Sequence, residues 1–426
     1  MSVLHESGQA APDTSERSDR PESEKPDTEF PEGGTRAWLA LLGAFCVSFS
    51  TFGYMNAFGV YQEYYTKYTL RHETPSNISW IGSVQICFLF SGSLVGGPLF
   101  DRYGASVRTG NAAISVVVSV MMTSLCKKYY QFMLAQGILG GMASGTLFAP
   151  AMTCVSHYFH KRRAAALGAT VSGSSIGGVI FPIALSKMLE NESLGFGWSV
   201  RIVGFIILFM MLIAMATIRG RLPPRKDRIL LPSAFTRALY TLITLGITFM
   251  MWGIFTPFFY LPQYAQSHGM DSQLSSYLLS ILNAASIFGR VLPGFIADKF
   301  GRFNVLILNS FCTGTLLLCW IAVTSDASII VFAVLYGYFS GGIVSLMSPC
   351  IAQASPSPDQ IGTHLGMSMA VVGIAGLTGT PICGALLEKY GEYTQPAIFS
   401  GVMVLVGVTL TVVARLCLQT KVLAIV

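Results

Sequence analysis

The sequence predicts an all-α polytopic membrane protein, twelve transmembrane helices in two six-helix halves, and three observations carry that prediction. The 426 residues are 52% hydrophobic and only 11% charged, whereas a soluble domain carries about 25% charged residues. Apolar runs of about 20 residues, the length that crosses the hydrocarbon of a bilayer, recur from residue 37 to residue 418. One motif also appears twice, at residues 92–104 and again 197 positions later at residues 289–301.

Residues 1–35 are rich in Glu, Asp, Ser and Pro and poor in apolar side chains. Such a composition cannot fill a core and predicts a disordered acidic tail. The tail has no apolar stretch of the kind a cleaved signal peptide needs, so the first span is expected to act as its own insertion signal. The N-terminal half (36–218) then holds spans at 37–61, 78–99, 106–126, 129–152, 164–186 and 200–218. A basic linker (219–237) leads to the C-terminal half (238–418), with spans at 238–261, 274–296, 304–324, 327–348, 363–387 and 396–418, and residues 419–426 form a short tail. Each span is expected to be helical, because backbone polar groups cannot go unpaired in lipid.

Lysine and arginine set the expected orientation. Even-numbered loops carry thirteen of them, including Arg102, Arg108, Lys161, Arg162, Arg163, Lys299 and Arg302, against seven in the odd-numbered loops. Both termini are therefore expected in the cytoplasm of a multi-pass protein, with the plasma membrane as the expected location; Lys127 and Lys128 run against the bias. Two Asn-x-Ser sequons, at Asn77 and Asn191, fall on the outer side in this topology and are candidate glycosylation sites.

The two copies of the motif read GSLVGGPLFDRYG and GRVLPGFIADKFG. Gly97, Asp101, Arg102 and Gly104 in the first match Gly294, Asp298, Lys299 and Gly301 in the second. Parallel repeats of this kind are a known transporter construction. The glycines let helices approach closely, and an acid at a helix end can hold one conformation by pairing with a base or a helix terminus. With Arg302, these residues are the expected gate. Gly137, Gly141 and Gly145 give one further small-residue face, Gly173 and Gly177 another. Among Pro257, Pro262, Pro293 and Pro381, the last is the expected functional bend.

Arg290 lies in an apolar span with no other charge between Asp271 and Asp298. An arginine at such depth is costly and usually faces a cavity or a partner, so either an anionic oxygen or helix carbonyls would satisfy it. Tyr54 and Trp252 lie deeper than interfacial anchors and are candidate cavity-wall residues.

The motif pair resembles the major facilitator superfamily, in which Gly-x-x-x-Asp-Arg/Lys-x-Gly recurs between helices two and three and between helices eight and nine. More narrowly, two further stretches resemble fungal members of the monocarboxylate porter family: Pro31-Glu32-Gly33-Gly34-Thr35-Arg36-Ala37-Trp38, and Tyr158-Phe159-His160-Lys161-Arg162-Arg163 running into Gly168 and Gly173. In animal members the resemblance implies proton-coupled transport of lactate-like monocarboxylates. The substrate arginine of that family corresponds to Arg290, while its neighbouring acid falls on Ser286 and its lysine on Asn56. Fungal relatives include both uptake carriers and exporters of secondary metabolites.

The expectation is a secondary active transporter working by alternating access on a small organic anion, foremost a monocarboxylate, with protons as an open second substrate. Arg290, Asn56, Ser286, Tyr54 and Trp252 are its candidate binding residues. An efflux carrier for a larger metabolite, or a non-transporting receptor of the same fold, is the alternative. The acids lie in the tail, in loops or near span ends, and no histidine pair sits deep in a span, so an enzyme is not expected. Neither a cofactor, a metal nor a nucleic acid is expected; the one partner composition requires is the lipid bilayer. Basic residues 160–163 are accounted for by topology and anionic headgroups.

Overall fold

Among the described residues the apolar runs form helices, which close most backbone hydrogen bonds within each run, as hydrocarbon requires. The structure is a computed structural model that describes residues 30–104, 108–191, 193–221 and 230–419. Within them twelve helices follow in order. The first six are α1 (Thr35–Thr69), α2 (Pro75–Tyr103), α3 (Arg108–Thr123), α4 (Tyr129–Tyr158), α5 (Arg163–Glu190) and α6 (Gly195–Thr217). The second six are α7 (Ala238–Ser267), α8 (Ser272–Phe300), α9 (Arg302–Ala322), α10 (Asp326–Ala354), α11 (Ile361–Tyr390) and α12 (Thr394–Leu418). Eleven are long and apolar enough to cross a membrane; α3, with 16 residues, is the shorter one. The expected tail (residues 1–29 of it), the middle of the expected linker (222–229), residues 420–426 and Glu192 of the second sequon lie outside the described residues.

Two spans differ from expectation. The first runs to Thr69 rather than 61, because its polar end is still packed: Tyr65 lies 4.3 Å from the Phe132 ring and donates to Gln136 Oε1 at 2.8 Å. It is also interrupted, with a wide turn at Phe49–Gly53 and a break at Asn56 and Ala57. In the seventh span the break falls at Phe255, and Pro257 occupies the first turn of the new segment, where its missing N–H costs nothing. Pro381, by contrast, lies inside an uninterrupted α11.

The final glycine of each motif copy ends its helix. Gly104 (φ 73°) and Gly301 (φ 93°) adopt a left-handed φ that disfavours a Cβ, and their N–H groups bond Phe100 O at 2.8 Å and Ala297 O at 2.9 Å. Asn77 is exposed in the first turn of α2, its amide donating to Glu73 Oε2 at 3.0 Å. Asn191 is exposed just after α5 and accepts from the Ser193 hydroxyl at 2.7 Å.

The two halves meet chiefly through two helix pairs, α2 with α11 and α5 with α8. Glycine makes both contacts close. A Cβ on Gly366 of α11 would lie 2.3 Å from the Ser93 carbonyl oxygen of α2, and one on Gly168 of α5 would lie 2.2 Å from that of Arg290 on α8. Ser93 and Arg290 are themselves 197 positions apart, so the sequence repeat is also a repeat of helix contacts. Across the halves, α4 packs on α11 and α5 on α10 as well.

Candidate functional site

The α8 residues Asn283, Ser286 and Arg290 share one helical face by their spacing of three and four. On α5, Val171, Ser174, Ser175 and Gly178 repeat that spacing and face them. Arg290 is 4% exposed. Its Nη1 donates to Val171 O at 3.0 Å and to the Ser174 hydroxyl, while its Nε is buried with no hydrogen-bond partner. No carboxylate pairs with it among the described residues.

The rest of the seam is neutral. Ser175 donates to Ser286 Oγ at 3.2 Å. The Asn56 amide nitrogen reaches both Ser174 O and Asn283 Oδ1 at 3.4 Å, joining the break in α1 to α5 and α8. Asn283 is anchored in turn on Leu279 O at 2.9 Å. Gly178 leaves the room: a Cβ there would stand 2.6 Å from Asn56 Nδ2 and 2.7 Å from Asn283 Oδ1. The structure thus brings Arg290, Asn56 and Ser286 into one inter-half seam, and adds Ser174, Ser175 and Asn283, which the sequence reading missed. Their spacing on α5 and α8 was the available signal, but serines and glycines at that spacing read equally as packing.

Tyr54 and Trp252 have partners elsewhere. The Tyr54 ring packs edge-on against Tyr61 at 5.8 Å and Phe181 at 6.2 Å, inside the N-terminal half. Trp252 donates its Nε1 to Thr378 Oγ1 at 2.7 Å, tying α7 to α11.

The motif residues meet at the end that carries the termini. Asp101 Oδ2 accepts from the Thr363 N–H at 2.7 Å and its hydroxyl at 2.8 Å, capping the start of α11 in the opposite half. Asp298 does the same for α5, accepting from Ala164 N at 3.0 Å and Ala165 N at 2.8 Å. A carboxylate at a helix N-terminus satisfies orphan N–H groups and opposes the positive end of the dipole. Gly97 and Gly294 let these ends close, their Cβ positions lying 2.0 Å from Gly362 O and 2.6 Å from Ala164 O. Arg302 donates to His160 O at 2.6 Å and lies 3.5 Å from Asp298 Oδ1. Arg102 sits over the Tyr103 ring at 5.6 Å, and Lys299 is exposed.

A third carboxylate joins them. Glu32 accepts from the N–H groups of His160 (2.8 Å), Lys161 (2.6 Å) and Arg162 (3.2 Å). Partial burial pushes its carboxyl up, but the three donors outweigh that and hold it below its ordinary value. Trp38 packs edge-on against Phe159 at 5.9 Å. The two stretches on which the narrower family resemblance rests are therefore in contact with each other. No cluster of three metal-ligating side chains occurs among the described residues.

Comparison with known proteins corrects one expectation. The chain is 55% identical to the "Aspyridones efflux protein apdF" of Emericella nidulans, over 93% of this chain and 80% of that one. It is 41% identical to the "Agnestins efflux protein AgnL12" of Paecilomyces divaricatus, over 94% and 92%. These relatives are named as exporters of secondary metabolites, which overturns the placement among monocarboxylate porters; the departures at Asn56 and Ser286 already removed that family's two titratable partners. The crystal structure of the human organic anion transporter MFSD10 (TETRAN) superposes with a TM-score of 0.69 at 14% identity, covering 89% of this chain and all of that one, which is a likeness of fold. The protein is a secondary active transporter of a small organic molecule by alternating access, and not an enzyme. The family model "Major Facilitator Superfamily" matches residues 40–367, and the chain belongs to that superfamily.

Proposed function

We propose that the protein exports an oxygen-rich secondary metabolite larger than lactate, held at the α5–α8 seam with Arg290 as its charged contact. The observation that carries this reading is the guanidinium itself: buried, without a carboxylate, and with Nε unpaired. An unpaired buried donor is expensive, and an anionic oxygen or enolate of a substrate would meet it. The side chains around it, Asn56, Asn283, Ser175 and Ser286, are neutral hydrogen-bonding groups suited to hydroxyl and carbonyl oxygens. None of them carries a proton to exchange, so any coupled proton is taken up outside the seam. The direction of transport follows the relatives' names. The excess of basic residues in the even-numbered loops supports a cytoplasmic placement of the Asp101 and Asp298 end and of both termini, with the plasma membrane as the site of export.

The test is transport by purified wild type and Arg290→Ala in liposomes, using labelled lactate, salicylate and 4-hydroxycoumarin. Flux of the two aromatic weak acids well above that of lactate, and lost in the variant, is the expected result. Preference for lactate, or full activity of Arg290→Ala, would overturn the reading.

A further inference from the structure

Arg290 divides its donors unequally. Nη1 makes two bonds, both to α5 of the opposite half, whereas Nε makes none and no bond of Nη2 occurs among the described residues. Ser174 stands at the centre of the arrangement. Its hydroxyl accepts from Arg290 and donates to Val171 O at 2.9 Å, the same carbonyl that Arg290 uses, while its own carbonyl receives Asn56. The side chain is 1% exposed. A guanidinium is a rigid planar fork, so fixing one nitrogen fixes where the other edge points.

We propose that Ser174 is the positioning residue for Arg290: with the Val171 carbonyl it clasps the Nη1 side across the α5–α8 contact and leaves the Nε–Nη2 edge for a two-point oxygen ligand. The clasp also ties the halves together about two turns along α8 from the Asp298 cap, so it helps hold the closed end closed in the empty carrier. When that end opens, α5 and α8 part and Nη1 loses both partners. A ligand bound to the free edge stays with α8 and keeps the guanidinium partly satisfied through the change. The ligand step rests on the Arg290 reading above; the clasp does not, and it is tested without any ligand.

The test is amide hydrogen exchange of the full-length protein in lipid nanodiscs, read on the peptide that carries Ala164 and Ala165, whose N–H groups bond Asp298. Ser174→Ala removes a charge-assisted bond and should raise exchange there about tenfold. Arg290→Ala, which loses the Val171 bond as well, should raise it at least as much, and the double variant should exchange no faster than Arg290→Ala alone. Ser174→Thr, which keeps the hydroxyl, should restore most of the protection. Wild-type exchange in Ser174→Ala, or additive effects in the double variant, would overturn the clasp, since a serine that merely packs acts independently of Arg290. Should Ser174→Thr not fold, the two alanine variants and their combination still decide. Loss of the clasp with normal Arg290→Ala transport would sink only the substrate reading, and the converse result only the clasp.

Discussion

Gly97→Ala should change which way the transporter faces without unfolding it. Gly97 lies on α2 against α11 of the other half, and a Cβ there would sit 2.0 Å from Gly362 O and 2.8 Å from its carbonyl carbon. Ordinary contact begins near 3.4 Å, so the helices must part by about 1.4 Å (3.4 less 2.0). Both obstructing atoms are backbone, which cannot rotate away. Overpacking of this kind costs 1–3 kcal/mol; backbone on backbone belongs at the upper end, about 3 kcal/mol, or roughly 150-fold in a conformational ratio. The clash exists only while the two halves touch at this end, because Gly362 moves away with its own half. Gly145→Ala is the control. Its Cβ would lie 2.1 Å from Leu89 O, and Leu89 is on α2 of the same half, so the clash persists in every conformation. Hydrogen exchange at the Thr363 amide, which Asp101 holds at 2.7 Å, reports the closed end, and thermal unfolding reports the fold. Gly97→Ala should lose most of the Thr363 protection while its other helices exchange normally. Gly145→Ala should lower the melting temperature. An alanine at 97 with wild-type protection, or one that loosens every helix alike, would refute the division of glycines into those between halves and those within one.

Two further outcomes follow from the same end of the bundle. Asp298→Asn keeps one accepting oxygen of two, leaving an N–H of Ala164 or Ala165 unpaired; the closed end should weaken by about 1–3 kcal/mol, seen as faster exchange at those amides, and Asp101→Ala, which removes the oxygen that takes both Thr363 bonds, should act likewise at Thr363. For Glu32 the folded-state carboxyl lies below its ordinary value, so its contribution is fully present above the unfolded value of about 4.3 and disappears as pH falls through the lower folded one. Thermal melting across that range should show Glu32→Gln less stable than wild type at neutral pH and equal to it in stronger acid; a gap independent of pH would contradict the assignment.

Much of the fold was legible because a bilayer leaves a chain few choices. Length and apolarity identified the spans, and the doubled motif marked the repeated halves, whose motif residues meet across them at one end. What escaped had a different cause in each case. The end of α1 is polar, carrying Glu63 and Lys67, yet Tyr61 and Tyr65 continue the helix by packing on aromatic rings from other helices, and hydropathy does not see partners distant in sequence. Arg290 stood out because a charge in an apolar span is conspicuous. Ser174, Ser175 and Asn283 did not, since small polar residues are ordinary in membrane helices and only the crossing of α5 and α8 joins them to the arginine. Trp252 and Tyr54 were chosen by depth, and the structure gives each a partner that depth could not show: Thr378 for the tryptophan, Tyr61 and Phe181 for the tyrosine.

The relation between the halves explains why the arginine is where it is. Gly97 with Asp101 and Gly294 with Asp298 make the same two contacts, a close approach and a cap, each against the opposite half. One turn or two further into each helix the backbone contact still repeats, Gly366 on Ser93 and Gly168 on Arg290. The side chains there do not. Ser93 turns its hydroxyl to Gly145 O of its own half at 3.2 Å, whereas Arg290 reaches across to α5. A closing mechanism needs two matching hinging contacts, and symmetry supplies them without cost to either half. The acidic metabolite proposed above would need a single cation, and a second at position 93 would add an unpaired charge to a buried, low-dielectric interface. On the function proposed above, the backbone repeats where the halves close on each other, and the side chains diverge at the depth where Arg290 would meet the substrate. Ser93→Arg sets a demanding test of that division: it should destabilise the protein, because α11 carries Val372 at the place where α5 carries Ser174 and so offers the new guanidinium no hydroxyl.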